Sequence, residues 1–173
     1  EKHKVLPFLF DILQGADLPQ EQQKILQKKG QQTVQQSYRL LFLSKSIIEE
    51  LKEYGIDAIL LKGSGVAALY PVPEYRKSGD IDILMKNKEE AERACKILEK
   101  RGFCKKEYQA AHHHIACSGV DGIEMELHVT LAEPFDSEKT NTYLKQCQAS
   151  FFEHRKSQDV MGVTFELAAD AYQ

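Results

Sequence analysis

Leu60-Leu61-Lys62-Gly63-Ser64-Gly65, followed by Ser78-Gly79-Asp80-Ile81-Asp82-Ile83-Leu84, is the stretch on which the fold turns. Ile56 to Leu61 is apolar and β-favouring, and Gly63-Ser64-Gly65 supplies a turn into a short helix ending near Tyr70. Pro71 and Pro73 impose a loop, and Asp80 to Met85 then reads as a strand in which isoleucines alternate with carboxylates. Asn87 with Glu90 three residues later resembles a capping box, so a helix starts there. Ala91, Ala94, Cys95 and Leu98 form its buried stripe, and Gly102 stops it. This succession predicts an α/β (α+β) chain built on a mixed sheet.

Outward from that stretch, Phe103 to Tyr108, His113 to Cys117 and Gly122 to Leu131 read as strands. The last two pair across Ser118-Gly119-Val120-Asp121-Gly122. Ser137 to Ser150 is helical, and Phe151 to Val163 holds one or two short strands with a turn near Met161-Gly162. Phe165 to Asp170 begins another helix, so the C-terminal helical region is expected to be truncated. On the N-terminal side, Val5 to Leu13 is a short apolar segment, and Pro19 opens a glutamine-rich helix to about Lys29, with Gly30 as its stop. Thr33 to about Tyr54 is the strongest helix, with a wide apolar face including Leu40, Leu43, Ile47 and Leu51, and Gly55 ends it. These segments divide the chain into an N-terminal helical part (1–54), a core (55–135) and a C-terminal part (136–173) expected to continue in a longer native protein.

The 173 residues, 42% hydrophobic and 28% charged, suffice to bury a sizeable core. A net charge of −3 with interspersed lysines and glutamates gives no basic stripe to grip an extended nucleic acid. No apolar run is long enough to span a bilayer, and no signal-peptide core opens the sequence, so a cytoplasmic protein is expected, although the chain begins with Glu1 rather than Met. Cys95, Cys104, Cys117 and Cys147 lack C-x-x-C spacing and read as buried reduced thiols.

Successive strand side chains point to opposite faces, so Asp80 and Asp82 share one face and Ile81 and Ile83 the other. Two carboxylates one repeat apart repel, unless a divalent cation, magnesium above all, sits between or beside them. A strand end in solvent would carry the same pattern. Ile123-Glu124-Met125-Glu126-Leu127-His128-Val129 has the same character, with Glu124, Glu126 and His128 on one face. Beside the Asp80 strand, Glu126 would complete a three-carboxylate cluster able to hold two metals about 3.5–4 Å apart; a solvent-facing hairpin would alternate in the same way. Gly63-Ser64 precedes a helix, where N–H groups and the helix dipole favour phosphate, though an ordinary glycine turn looks similar.

In combination and order, Leu60-Leu61-Lys62-Gly63, Leu69-Tyr70-Pro71, Arg76, Asp80-Ile81-Asp82-Ile83-Leu84 and Glu126-Leu127-His128 resemble a bacterial nucleotidyltransferase family of the DNA polymerase beta-like superfamily. The resemblance covers about Ile56 to Leu131. It implies a nucleotidyltransferase core that moves a nucleoside monophosphate from a nucleoside triphosphate to an acceptor hydroxyl, releasing pyrophosphate without a covalent enzyme intermediate. Asp80 and Asp82 would bind both magnesium ions, with manganese as the alternative, and Glu126 would help hold the catalytic one. Gly63 and Ser64 would contact the triphosphate. The acceptor, whether a small molecule, a protein or an RNA end, is left open.

Lys62 and Arg76 are candidates for phosphate charge, and a guanidinium can bind phosphate bidentately. His128 either orients a metal-bound carboxylate or is hydrogen-bonded at the strand end. In an extended chain His112 and His114 face the same way, which allows a transition-metal site with His128, a wall of the acceptor pocket, or a polar loop-to-strand junction. Two other functions therefore stand beside the transferase: a non-catalytic nucleotide- or partner-binding module that retains the fold, and a hydrolase with a metal on His112, His114 and His128.

Overall fold

A computed structural model describes residues 9, 12–13, 16–106, 113–119 and 122–169. The apolar segment around Val5, the end of the strand expected to reach Tyr108, His112, the turn residues Val120 and Asp121, and Asp170 lie outside the described residues. Helix α1, Gln20–Glu53, precedes strand β1, Ala58–Leu60. A distorted turn, Lys62–Gly65, and two 3-10 turns, Ala67–Leu69 and Pro73–Tyr75, lead to β2, Asp80–Met85. Helix α2, Lys88–Glu99, is followed by β3, Cys104–Lys105, then β4, His114–Ser118, and β5, Glu124–His128. Helix α3, Glu138–Glu153, and the hairpin β6, Arg155–Val160, with β7, Val163–Ala168, complete it.

The main sheet has the order β1-β2-β5-β4-β3. Strands β2 and β5 are parallel, while β1–β2, β5–β4 and β4–β3 are antiparallel, so the sheet is mixed as the sequence predicts. Ala58, Leu60, Ile81, Ile83, Met85, Ile115, Cys117, Met125 and Leu127 belong to one buried cluster with Leu40, Leu41, Ile47 and Leu51 of α1 and Ala91, Ala94, Cys95 and Leu98 of α2. Alternation along each strand therefore turns one face toward the helices and leaves the carboxylates and histidines on the other. The hydrophobic gain is about 1.5–3 kcal/mol for each large aliphatic side chain fully buried.

Several ends are fixed by the residues that predict them. Asn87 Oδ1 accepts from Glu90 N–H at 2.9 Å, and Ser137 Oγ from Thr140 N–H at 3.3 Å. Gln148 of α3 donates from Nε2 to Met85 O at 3.1 Å and Val129 O at 3.0 Å, so the third helix closes the far ends of β2 and β5.

The structure corrects three expectations. Gly30 does not stop a helix: α1 runs unbroken through it, and Gly30 is buried. A glycine costs only about 1 kcal/mol in a helix interior, less than the packing of the segments on either side supplies. Residues 165–168 belong to β7 rather than to a helix. Val163, Phe165 and Leu167 alternate with Thr164 and Glu166, and Met161 and Gly162, with φ of 55° and 80°, give the two left-handed residues of a tight hairpin turn. Cys104 is exposed and Cys147 partly so, leaving Cys95 and Cys117 as the buried thiols, their sulfurs 3.8 Å apart.

Replacement of fully buried Ile83 by alanine should cost about 2–5 kcal/mol, read as a lower urea midpoint at unchanged slope, since β2 packs at the centre of the cluster.

Candidate active site

The parallel register of β2 and β5 sets Asp80 opposite Glu124, Asp82 opposite Glu126 and Leu84 opposite His128. Antiparallel pairing of β4 with β5 then sets His114 opposite His128. All the ionisable members of these pairs fall on the face away from the helices, and a slip of one residue would drive them into the core.

Asp82 is the anchor of this row. It is 4% exposed, and its Oδ1 lies 2.8 Å from His128 Nε2 and 3.4 Å from Lys62 Nζ. Burial by itself would raise the carboxyl pKa, but the hydrogen bond from His128 and the charge of Lys62 outweigh it and hold Asp82 below the usual carboxylate range. His128, 1% exposed, also has Nε2 3.3 Å from Glu126 Oε2. A nitrogen placed between two carboxylate oxygens carries a proton, because a lone pair there would face only acceptors. One candidate atom from each of Asp82, Glu126 and His128 lies within 4.8 Å of the others. Asp80, half-buried on the same face one repeat earlier, is outside that group.

The glycine turn arches over the start of β2. Leu61 N–H donates to Asp82 O at 2.9 Å, and Gly63 follows with φ 43° and ψ −123°. A Cβ at Gly63 would stand 2.9 Å from Ser78 Oγ, 3.4 Å from Asp80 O and 3.9 Å from Asp82 Oδ2. Only a residue without a side chain brings backbone this close to the carboxylates. Ser64 is buried, whereas Lys62 is largely exposed and reaches inward through its ammonium.

Arg76 leaves the second 3-10 turn with Nη1 3.4 Å from Ser78 Oγ and its guanidinium 5.6 Å above the Tyr70 ring. Its Nε is buried with no hydrogen-bond partner among the described residues. Helix α1 holds this loop: Ser37 Oγ donates to Glu74 O at 2.9 Å, and Tyr38 OH to Glu74 Oε1 at 3.3 Å. A polar cleft lined by Lys29, Gln32, Gln36, Lys77 and Ser78 opens beside it.

Histidines extend the row. His114 Nε2 is 3.7 Å from Glu126 Oε1, and the rings of His113 and His114 have centroids 5.1 and 5.4 Å from that of His128. Sequence reasoning paired His112 with His114. His112 lies outside the described residues, and His113, in a bend before β4 where strict strand alternation does not apply, joins the group with His114 and His128. Glu133, whose Oε1 lies 2.8 Å from His113 Nδ1, carried no sequence signal, because it lies in an irregular loop.

A family model described as an uncharacterised nucleotidyltransferase matches residues 1–169. No curated protein matches the chain.

Gly63→Ala should destabilise the protein by about 1–3 kcal/mol, because a side chain there combines a left-handed backbone with the Ser78 contact; chemical denaturation measures it. A second prediction concerns the buried bond. His128→Leu and Asp82→Asn, combined in a double-mutant cycle in chelator, should show a coupling of about 1–3 kcal/mol, and strict additivity would mean the bond contributes nothing.

Proposed function

We propose, because the chain belongs to this family of uncharacterised nucleotidyltransferases, that it is a magnesium-dependent enzyme of the DNA polymerase beta-like type. It would move a nucleoside monophosphate from a nucleoside triphosphate to an acceptor hydroxyl and release pyrophosphate. Residues 55–135 would be the catalytic core, with 1–54 and 136–173 flanking it.

The observation that carries this reading is a buried carboxylate, Asp82, kept ionised opposite Glu126 and directly under a glycine turn. The residues suit a divalent ion. Two all-oxygen side chains face each other across the register, a third, Asp80, stands one repeat away, and the Lys62 ammonium at 3.4 Å already supplies positive charge to Asp82. Asp80, Asp82 and Glu126 would hold magnesium, and manganese suits the same donors. Bound there, such ions lower the pKa of an acceptor hydroxyl and neutralise charge on the triphosphate.

The chain's own groups would do the rest. Gly63 lets backbone approach the phosphates, and Ser64 adds a hydroxyl donor. Lys62 and Arg76 would supply charge, the Arg76 Nε having no hydrogen-bond partner among the described residues. His128, bonded to Asp82 and close to Glu126, would hold both carboxylates in position. His114, beside Glu126, would border the acceptor side. The acceptor stays open among a small molecule, a protein side chain and an RNA end, the net charge of −3 with interspersed lysines and glutamates arguing against a grip on extended nucleic acid.

A second reading has one observation in its favour. Lys62 and His128 satisfy Asp82 without any metal, as a binding module that keeps the fold but not the chemistry would require.

Labelled nucleoside triphosphates with magnesium and a panel of acceptors separate the two. The transferase should turn over, and Asp80→Asn or Asp82→Asn should slow it by about two to three orders of magnitude, the loss of several kcal/mol of charge stabilisation. Triphosphate binding without turnover would favour the module, and no magnesium-dependent binding at all would sink both.

A further inference from the structure

We propose that His113, His114 and His128 form a second metal site, for a borderline transition ion of the zinc class, distinct from the magnesium ligands. One ligand nitrogen from each of the three rings falls within a group no more than 4.8 Å across, and the ring centroids of His113 and His114 are 4.8 Å apart. Neutral imidazoles select zinc, nickel, cobalt or copper, whereas magnesium takes oxygen.

The arrangement around the rings supports this beyond their proximity. His113 Nδ1 lies 2.8 Å from Glu133 Oε1, and His128 Nε2 lies 2.8 Å from Asp82 Oδ1. A carboxylate on one ring nitrogen fixes the tautomer, turns the other nitrogen's lone pair outward and makes it more basic, which is how ligating histidines are held in metal sites. His114 Nε2 stands 3.7 Å from Glu126 Oε1, close enough for charge attraction but too long for a hydrogen bond. Two rings on paired strands and one in the preceding bend thus come from two elements locked by hydrogen bonds, including Val129 N–H to His113 O at 2.8 Å.

Access and closure are both available. His113 and His114 side chains are 18% exposed and His128 only 1%, so an ion enters from the β4 side while the third ligand forms a rigid floor. Zinc–nitrogen bonds of about 2.0–2.1 Å require the nitrogens to draw together, a change within reach of ring rotation at the partly exposed positions. Three protein ligands leave a fourth position open to solvent on that side.

The test uses the full chain and the metals alone. Cobalt(II) should bind at one ion per chain with the intense visible absorption of a low-coordinate site, and zinc should displace it. His113→Ala should abolish saturable binding, and Glu133→Gln should weaken it about 10–100-fold. Asp80→Asn, which damages the proposed magnesium site, should leave zinc affinity unchanged, so failure of this proposal and failure of the transferase reading are distinguishable. Absence of stoichiometric cobalt or zinc binding would overturn the site. So would wild-type affinity in His113→Ala and Glu133→Gln, or loss of zinc with Asp80→Asn, which would put the ion on the carboxylates.

Discussion

The parallel pairing of β2 with β5 is the constraint on which the rest depends. Parallel neighbours need a long crossover, and here α2, β3 and β4 all lie between the two strands in the chain. In return their residues stand side by side in constant register, so Asp82 meets Glu126 while Ile83 and Leu127 pack on the other face. The same pairing brings a buried histidine within 2.8 Å of a buried carboxylate. Neither group would be tolerable alone at this depth; bonded to each other, with Lys62 at the edge, they are.

A second tier of contacts makes the row usable. Helix α1 both gives Leu40, Leu41, Ile47 and Leu51 to the core and clamps the 3-10 loop through Ser37 and Tyr38. The loop in turn sets Ser78 against Gly63, with Arg76 bonded to Ser78. Stability and site geometry are therefore coupled: what packs α1 against the sheet also holds the loop that carries Arg76 and Ser78.

Much of this was legible in the residues. The alternation Asp80-Ile81-Asp82-Ile83 and Glu124-Met125-Glu126-Leu127-His128 named the strands and their two faces, and Asn87 with Glu90 fixed the start of α2. The failures have particular causes. Gly30 looks like a helix stop in the sequence, yet a buried glycine in a long packed helix costs less than breaking the helix would. Phe165-Glu166-Leu167 is too short to tell period two from period 3.6, and the deciding cue was the pair of positive φ angles at Met161 and Gly162. His113 and Glu133 could not be found, because a bend and an irregular loop carry no periodicity.

The sequence by itself determined which side chains face together within each strand and where a turn could touch them, because strand alternation and glycine conformation are local properties. Only the tertiary structure decided that β2 and β5 are neighbours and parallel, and that His128 comes together with Asp82 and Glu126. It also decided that α1 reaches across to the Arg76 loop. Those outcomes depend on which distant segments bury their apolar faces against one another, and a non-directional hydrophobic force leaves no mark of its partner in the local pattern.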